Sequence, residues 1–190
     1  NMNCRHCDNK LEFTFVDLDS SPPSNSYVSK NVGSIEEKWY PLKVLVCEFC
    51  WLAQTEDFVG FNEMFSKDYS YFSSFSSTWL KHAKFFVDMA VKRFKLKNDS
   101  MIVEIAANDG YLLQFVKEKN IPCYGVEPTN STAEAARKKG IKIIEEFFSE
   151  QKAKDLSDLS LQADLIISNN VLAHVDRKEL DVASSLRTKG

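Results

Sequence analysis

An α/β fold is what this sequence predicts: a parallel sheet covered by helices, counted only to its fourth strand, behind a small cysteine-bearing module. Three observations carry that expectation. From residue 99 onward short apolar runs alternate with longer helical stretches, four of the five cysteines form two Cys-x-x-Cys pairs, and acidic residues stand at the ends of the first two apolar runs. Strands buried on both faces read as continuous apolar runs, and helical stretches between them make parallel crossover units. A chain of 190 residues with 44% hydrophobic and 27% charged side chains has room for one core plus a satellite module.

Residues 1–57 form the expected module. Cys4-Arg5-His6-Cys7 and Cys47-Glu48-Phe49-Cys50 have the spacing of metal-binding knuckles, and in a reducing compartment such thiols read as ligands before they read as disulfides. Short strands at Leu11–Val16 and Leu42–Val46 carry the knuckles, and a polar insertion runs between them from Asp17 to Lys38. So little apolar surface cannot hold a fold unaided; a zinc ion supplies what the core lacks. With Cys4, Cys7, Cys47 and Cys50 all thiolates, no coordination position is left for a catalytic water, so the zinc is structural. His6 lies inside the first knuckle and is not counted as a ligand. Cys123, alone in an apolar run, reads as an inert core residue.

Residues 58–98 are an aromatic segment and a linking helix. Phe61, Phe65, Tyr69, Tyr71, Phe72 and Phe75 alternate with serines in short helices and loops. A helix then begins at Thr78 with Leu80, Ala83, Val87, Ala90, Val91 and Phe94 on one face. Residues 99–190 hold the sheet. Strands are predicted at Met101–Ile105, Cys123–Val126, Ile141–Ile144 and Asp164–Ser168. Helices are predicted at Tyr111–Lys119, Thr132–Lys139, Ser149–Leu156 and Lys178–Leu186, the second with a capping box of Ser131 and Glu134 and a stop at Gly140.

Ligands of open α/β sheets lie across the carboxyl ends of the strands. There the chain places Glu104, the turn Ala106-Ala107-Asn108-Asp109-Gly110, Glu127 after the second strand, and Ser168-Asn169-Asn170 after the fourth. Ala106 and Asn108 stand where a pyrophosphate would require glycines, which argues against a dinucleotide. Glu104 and Asp109 suit a cationic or amine-bearing ligand, and Glu127 suits the two hydroxyls of a ribose. An adenosine joined to an amino acid through a sulfonium fits this set better than NAD. His174 follows as a proton-transfer group, since an imidazole titrates near about 6.5.

These pieces in this order resemble the sugar C-methyltransferase family whose members begin with a four-cysteine zinc-binding domain. The resemblance rests on both Cys-x-x-Cys pairs, Tyr69-Ser70-Tyr71-Phe72-Ser73-Ser74, Glu104–Gly110, Gly125-Val126-Glu127-Pro128 and Asn169–Val175. It implies a Rossmann-like fold that binds S-adenosylmethionine through Glu104, Ala106, Asn108, Asp109, Gly110, Glu127, Asn169 and Asn170. It also implies a nucleotide-linked 4-keto deoxysugar as substrate, methylated at C3, with Tyr71 and His174 turned toward it. Ala106 departs from the family's usual glycine: either its methyl crowds the methionine end of the cofactor or the loop shifts.

Residues 1–100 carry 12 basic and 13 acidic side chains and the remainder 12 and 14, so no basic face invites nucleic acid. No apolar run is long enough to span a bilayer and no signal peptide is recognised, which makes the cytoplasm the expected location. The chain opens on Asn1 and the family's sheet has seven strands, so a portion of a longer protein is expected, weak alone in binding and turnover. Its uncovered sheet edge favours self-association. A second reading stays open: a zinc-containing interaction or regulatory protein that keeps a degenerate, inactive methyltransferase fold.

Overall fold

A computed structural model describes residues 2–24, 37–56 and 71–171. The chain divides into two compact units, Asn1–Tyr69 and Ser70–Gly190.

The first unit is a three-stranded antiparallel sheet in the order β1 (Phe13–Ser21), β2 (Tyr40–Val46), β3 (Ala53–Thr55). Phe13 pairs with Val46 and Ser21 with Tyr40, with irregularities between Thr14 and Val16 and between Asp17 and Ser20. The first strand starts two residues later than expected and continues through the polar stretch to Ser21. Main-chain pairing with β2 sustains it there although its one apolar side chain, Leu18, is exposed. Strand β3 was not anticipated: three residues are too few to show a period. Among the described residues the buried apolar ones of the unit are Cys4, Leu11, Leu45 and Cys47, so half of this described core is thiol.

The second unit opens with a 3-10 turn at Ser73–Phe75 and the helix α1 (Ser77–Phe94). The Ser76 hydroxyl caps α1 by accepting from the Trp79 amide at 3.1 Å, which starts it one residue before Thr78. It stops where Lys95 turns left-handed, with Lys92 and Arg93 in the last turn complementing the helix dipole. Ala83, Val87 and Ala90 are buried and Leu80 and Val91 pack beside them, as the stripe predicted. Phe94, the last helical residue, is instead exposed.

Four parallel strands follow: β4 (Ile102–Ile105), β5 (Cys123–Val126), β6 (Lys142–Ile144) and β7 (Leu165–Ile167), with α2 (Leu113–Glu118), α3 (Asn130–Lys138) and α4 (Glu150–Asp158) between them. The spatial order is β6-β5-β4-β7. The chain winds outward from β4 through β5 to β6, then returns to lay β7 on the other side of β4. This is a Rossmann-like α/β core with four parallel strands, and the strand order reverses beside β4. Apolar clusters cover both faces. Ile102, Leu113, Val116, Ala136 and Ile143 meet α1 residues on one; Val103, Ile105, Tyr124 and Val126 meet Phe148, Ala153 and Leu156 on the other.

The capping box expected at Ser131 and Glu134 is not formed. Helix α3 begins at Asn130 behind Thr129, which gives no side-chain cap, so Ser131 falls inside the first turn. The Glu127 carboxylate instead accepts from the Thr129 amide at 2.9 Å and fixes the approach to the helix. Gly140 does follow α3 in the left-handed conformation, φ +74°. Ser149 caps α4 through the Lys152 amide. The expected helix Lys178–Leu186, residue His174 and the aromatic positions Phe61, Phe65 and Tyr69 lie outside the described residues. Among the described residues no helix is long and apolar enough to cross a membrane.

Candidate metal centre and sheet-edge crevice

In the first unit the Sγ atoms of Cys4, Cys7, Cys47 and Cys50 all lie within 4.8 Å of one another. Cys4 and Cys50 are 3.5 Å apart, as are Cys7 and Cys47. A tetrahedral zinc with bonds of about 2.3 Å needs sulfurs separated by about 3.8 Å, so the cage fits that ion. The two knuckles are built alike. The Asp8 amide donates to the Cys4 carbonyl and the Trp51 amide to the Cys47 carbonyl, at 2.9 and 2.8 Å, and Asp8 and Trp51 are both left-handed at φ 62° and 64°.

Amides also point at the sulfurs. His6 contributes its backbone N–H, 3.4 Å from Cys4 Sγ, and its ring is not among the ligating atoms. Asn9 donates to Cys7 Sγ at 3.3 Å. Gln54, buried on β3, donates to Cys4 Sγ at 3.3 Å while accepting from the Arg5 amide at 3.0 Å. Burial opposes ionisation of Cys4, but the Cys7 amide, Gln54 and the His6 amide bring its thiol down to about 6. Against a hydrogen bond from the Leu52 amide, burial and the neighbouring sulfurs push Cys50 up to about 12. Four sulfurs so close ionise together only around a cation. Four protein ligands close the coordination sphere, so the centre is a structural zinc site. Cys123 stands apart on β5, its thiol pushed up to about 11 by burial, as an inert core residue should be.

In the second unit the strand order reverses between β4 and β7, and the carboxyl ends of those strands are where open α/β sheets hold ligands. Alternation along β4 puts Glu104 on the same face as Ile102, so a carboxylate occupies a core position. Both Glu104 oxygens are buried and make no hydrogen bond of normal geometry, the Tyr111 hydroxyl being the polar group beside them. Burial raises its pKa well above the ordinary carboxyl value; the nearby Tyr111 hydroxyl opposes the shift, and the Glu127 and Asp109 carboxylates add to it. Tyr111 is itself held above the ordinary phenol range by burial and then by Glu104. Its ring stacks on Trp79 of α1, and its hydroxyl accepts from Asn169 at 3.3 Å.

The turn after β4 is tightly specified. Ala106, Asn108 and Gly110 all have positive φ, at 54°, 50° and 73°. Any side chain at Gly110 would stand 2.3 Å from Ile141 Cδ1, so glycine is required for space as well as conformation. Asn tolerates the left-handed region, whereas Ala pays for its Cβ there. Ala106→Gly is therefore expected to stabilise the second unit by about 0.5–1 kcal/mol in a denaturant titration; a loss of stability would show that the left-handed Ala106 carries no strain.

Glu127 is anchored by two backbone amides, from Asn108 and Thr129, each at 2.9 Å. Asn108 also reaches the other way: its Oδ1 accepts from the Ser73 amide at 2.9 Å and its Nδ2 donates to the Tyr71 carbonyl at 3.0 Å. Asp109 is buried; its Oδ2 accepts from the Ser74 amide and Lys139 Nζ, while its Oδ1 has no partner. Ser168 Oγ at the end of β7 is likewise buried without a partner, and Asn170 is exposed at φ 55°. Asn108 thus joins Glu127 and Tyr71 directly, Asp109 holds the same segment through Ser74, and Glu104 and Asn169 both lie beside Tyr111. Sequence reasoning missed Lys139, Tyr111 and Gln54, and it placed Ser73, Ser74 and Ser168 within motifs without giving them a role. A lysine beside Gly140 at the end of α3 carries no sequence signal that separates it from an ordinary helix terminus.

These features define an α/β protein with a Rossmann-like four-stranded parallel core, acidic side chains at the carboxyl ends of its strands, and a four-cysteine zinc module. The family model "Putative zinc binding domain" matches residues 4–65. The chain is related at a distance to the C-methyltransferase NovU of Streptomyces niveus, 24% identical over 172 residues, covering 90% of this chain and 41% of NovU. The chain thus spans about two fifths of the length of that curated relative. Solved structures similar to it include a SAM dependent methyltransferase from Archaeoglobus fulgidus, 21% identical, TM-score 0.42, covering 58% of this chain and 52% of that one. Another is the plantazolicin methyltransferase BpumL in complex with SAH, 18% identical, TM-score 0.42, covering 55% and 39%.

Proposed function

We propose that the chain belongs to an S-adenosylmethionine-dependent C-methyltransferase acting on a nucleotide-linked 4-keto deoxysugar at C3 in the cytoplasm. The observation that carries the cofactor reading is the buried, unpartnered carboxylate oxygens of Glu104 and Asp109 at the point where the strand order reverses. With Glu127, three acidic side chains converge there. They repel a pyrophosphate and attract a ligand whose polar end is an ammonium. Glu127, held by two amides, keeps further lone pairs for ribose hydroxyls. Ala106 and Gly110 line the turn, and Asn169 and Asn170 close its far side.

When bound, the cofactor supplies a methyl group activated on a sulfonium. The chain's own task is to prepare the acceptor. In this reading His174 takes the proton from C3 of the sugar, and the Tyr71 phenol donates a hydrogen bond to the oxygen at C4 as negative charge collects on it. The substrate class comes from the sequence resemblance, and the distant relationship to a C-methyltransferase supports carbon as the acceptor atom.

Calorimetric titration of the zinc-loaded chain with S-adenosylmethionine, S-adenosylhomocysteine and NADH tests the cofactor reading. The first two are expected to bind and NADH to give no heat. No binding of either sulfur ligand, with zinc retained, would sink it. The second reading, an interaction protein with a degenerate fold, would then stand, and the left-handed Ala106 is the observation that favours it.

A further inference from the structure

One ammonium gathers three groups at the turn after β4. Lys139 Nζ donates to Ser74 Oγ at 2.6 Å, to the Asp109 carbonyl at 2.7 Å and to Asp109 Oδ2 at 3.3 Å. Across the same corner Asn108 holds the Ser73 amide and the Tyr71 carbonyl. The segment Tyr71–Ser74 is therefore tied at four points to the turn: two through Asn108, one from the Ser74 amide to Asp109, and one through Lys139.

Lys139 is well placed to bear that load. It is the C-terminal cap of α3, where the helix dipole favours a cation. Its own carbonyl accepts from Lys117 Nζ at 3.0 Å, and the left-handed Gly140 follows, so its backbone is fixed. Its side chain is about a third exposed and reaches no part of the apolar core. An ordinary helix-end lysine would point to solvent; this one directs its ammonium to the turn and to Ser74.

We propose that Lys139 is a positioning residue that latches the Tyr71–Ser74 segment onto the Asn108–Gly110 corner, so that a ligand entering the crevice meets that segment already in place. The inference rests on the reading that the crevice takes the sulfonium cofactor and that Tyr71 faces its acceptor. Lys139 touches neither ligand; it acts through Ser74 and Asp109. By fixing both, it makes the corner that holds one ligand and the segment that meets the other a single rigid piece.

Hydrogen exchange read by mass spectrometry on the ligand-free chain, over peptides covering residues 71–76, tests the latch in Lys139→Met, Lys139→Arg, Ser74→Ala and the Lys139→Met/Ser74→Ala double variant. Exchange in Lys139→Met is expected to rise about tenfold, Lys139→Arg to return within about twofold of the native rate, and the double variant to exchange no faster than Lys139→Met alone. Unchanged exchange in Lys139→Met, or additive effects in the double variant, would overturn the latch. So would a fall in the unfolding midpoint with equal loss of protection throughout α1, which would make Lys139 merely structural. Because no ligand is present, a chain that fails to bind S-adenosylmethionine overturns the proposed function and leaves the latch standing. A chain that binds it but shows native exchange in Lys139→Met overturns the latch alone.

Discussion

Stripping zinc with a chelator, or changing Cys47→Ser, is expected to unfold residues 2–56 while the parallel-sheet unit keeps its helical signal. The module's buried apolar residues are two leucines and two of the ligands themselves, Leu11, Leu45, Cys4 and Cys47. Removing the metal thus removes both the crosslink and half of the core's reason to be buried. Zinc binding in small domains is worth roughly 10 kcal/mol of apparent folding free energy, far more than so few side chains supply. Elemental analysis should find one zinc per chain in the native protein and none in the variant. Cobalt replacement should give the visible bands of tetrahedral thiolate cobalt, weakening as the pH falls and protons compete for sulfur. A Cys47→Ser chain that keeps full zinc and a protected β2 would refute the four-cysteine assignment.

The second large effect concerns Glu104, and it has opposite signs for stability and for binding. A carboxyl whose pKa is raised on folding favours the folded state while it is protonated. That contribution is full below the usual value of 4.5 and is lost as the pH rises through the folded-state value. As the pH rises above 4.5, wild type therefore loses stability relative to a variant with no proton to lose, and Glu104→Gln escapes that loss. Thermal melts from pH 5 to 9 are expected to show the variant gaining on wild type as the pH rises. On the proposed cofactor reading, affinity for S-adenosylmethionine should move the other way, falling on the order of 100-fold, because a carboxyl group able to ionise against a cation is removed. A variant that gains stability and binds the cofactor unchanged would show that Glu104 does not face the ligand's positive end.

The features legible in the sequence were those that depend on neighbours a few residues away. Cys-x-x-Cys spacing is set by the knuckle turn, so the four ligands were readable at once. The strands were readable because burial on both faces demands uninterrupted apolar runs, as in Ile102–Ile105 apart from Glu104. Boundaries were less so. The Ser131–Glu134 pair looked like a capping box, but Glu127 reaches ahead to the Thr129 amide and starts the helix earlier, a contact that spacing does not announce. Contacts across the fold were invisible: Lys139 and Ser74 are 65 residues apart, and nothing in either neighbourhood names the other. Asn108 was read as a cofactor residue from its place in the turn, whereas its side chain is occupied with Tyr71 and Ser73.

The return of β7 to the flank of β4 has a consequence for the order in which this protein is made. The Met101 amide meets the Asp164 carboxylate across 63 residues, and Asn169 meets the Tyr111 hydroxyl across 58. Closing loops of that length is slow compared with winding α1 or forming a neighbouring strand pair. As the chain emerges, β4, β5 and β6 can assemble while the crevice still has only one wall. Its second wall arrives with β7, so the acidic side chains beside β4 stay exposed to water until that strand docks. Glu104 thus loses its hydration late, after the apolar faces of the sheet have supplied the driving force to enclose it.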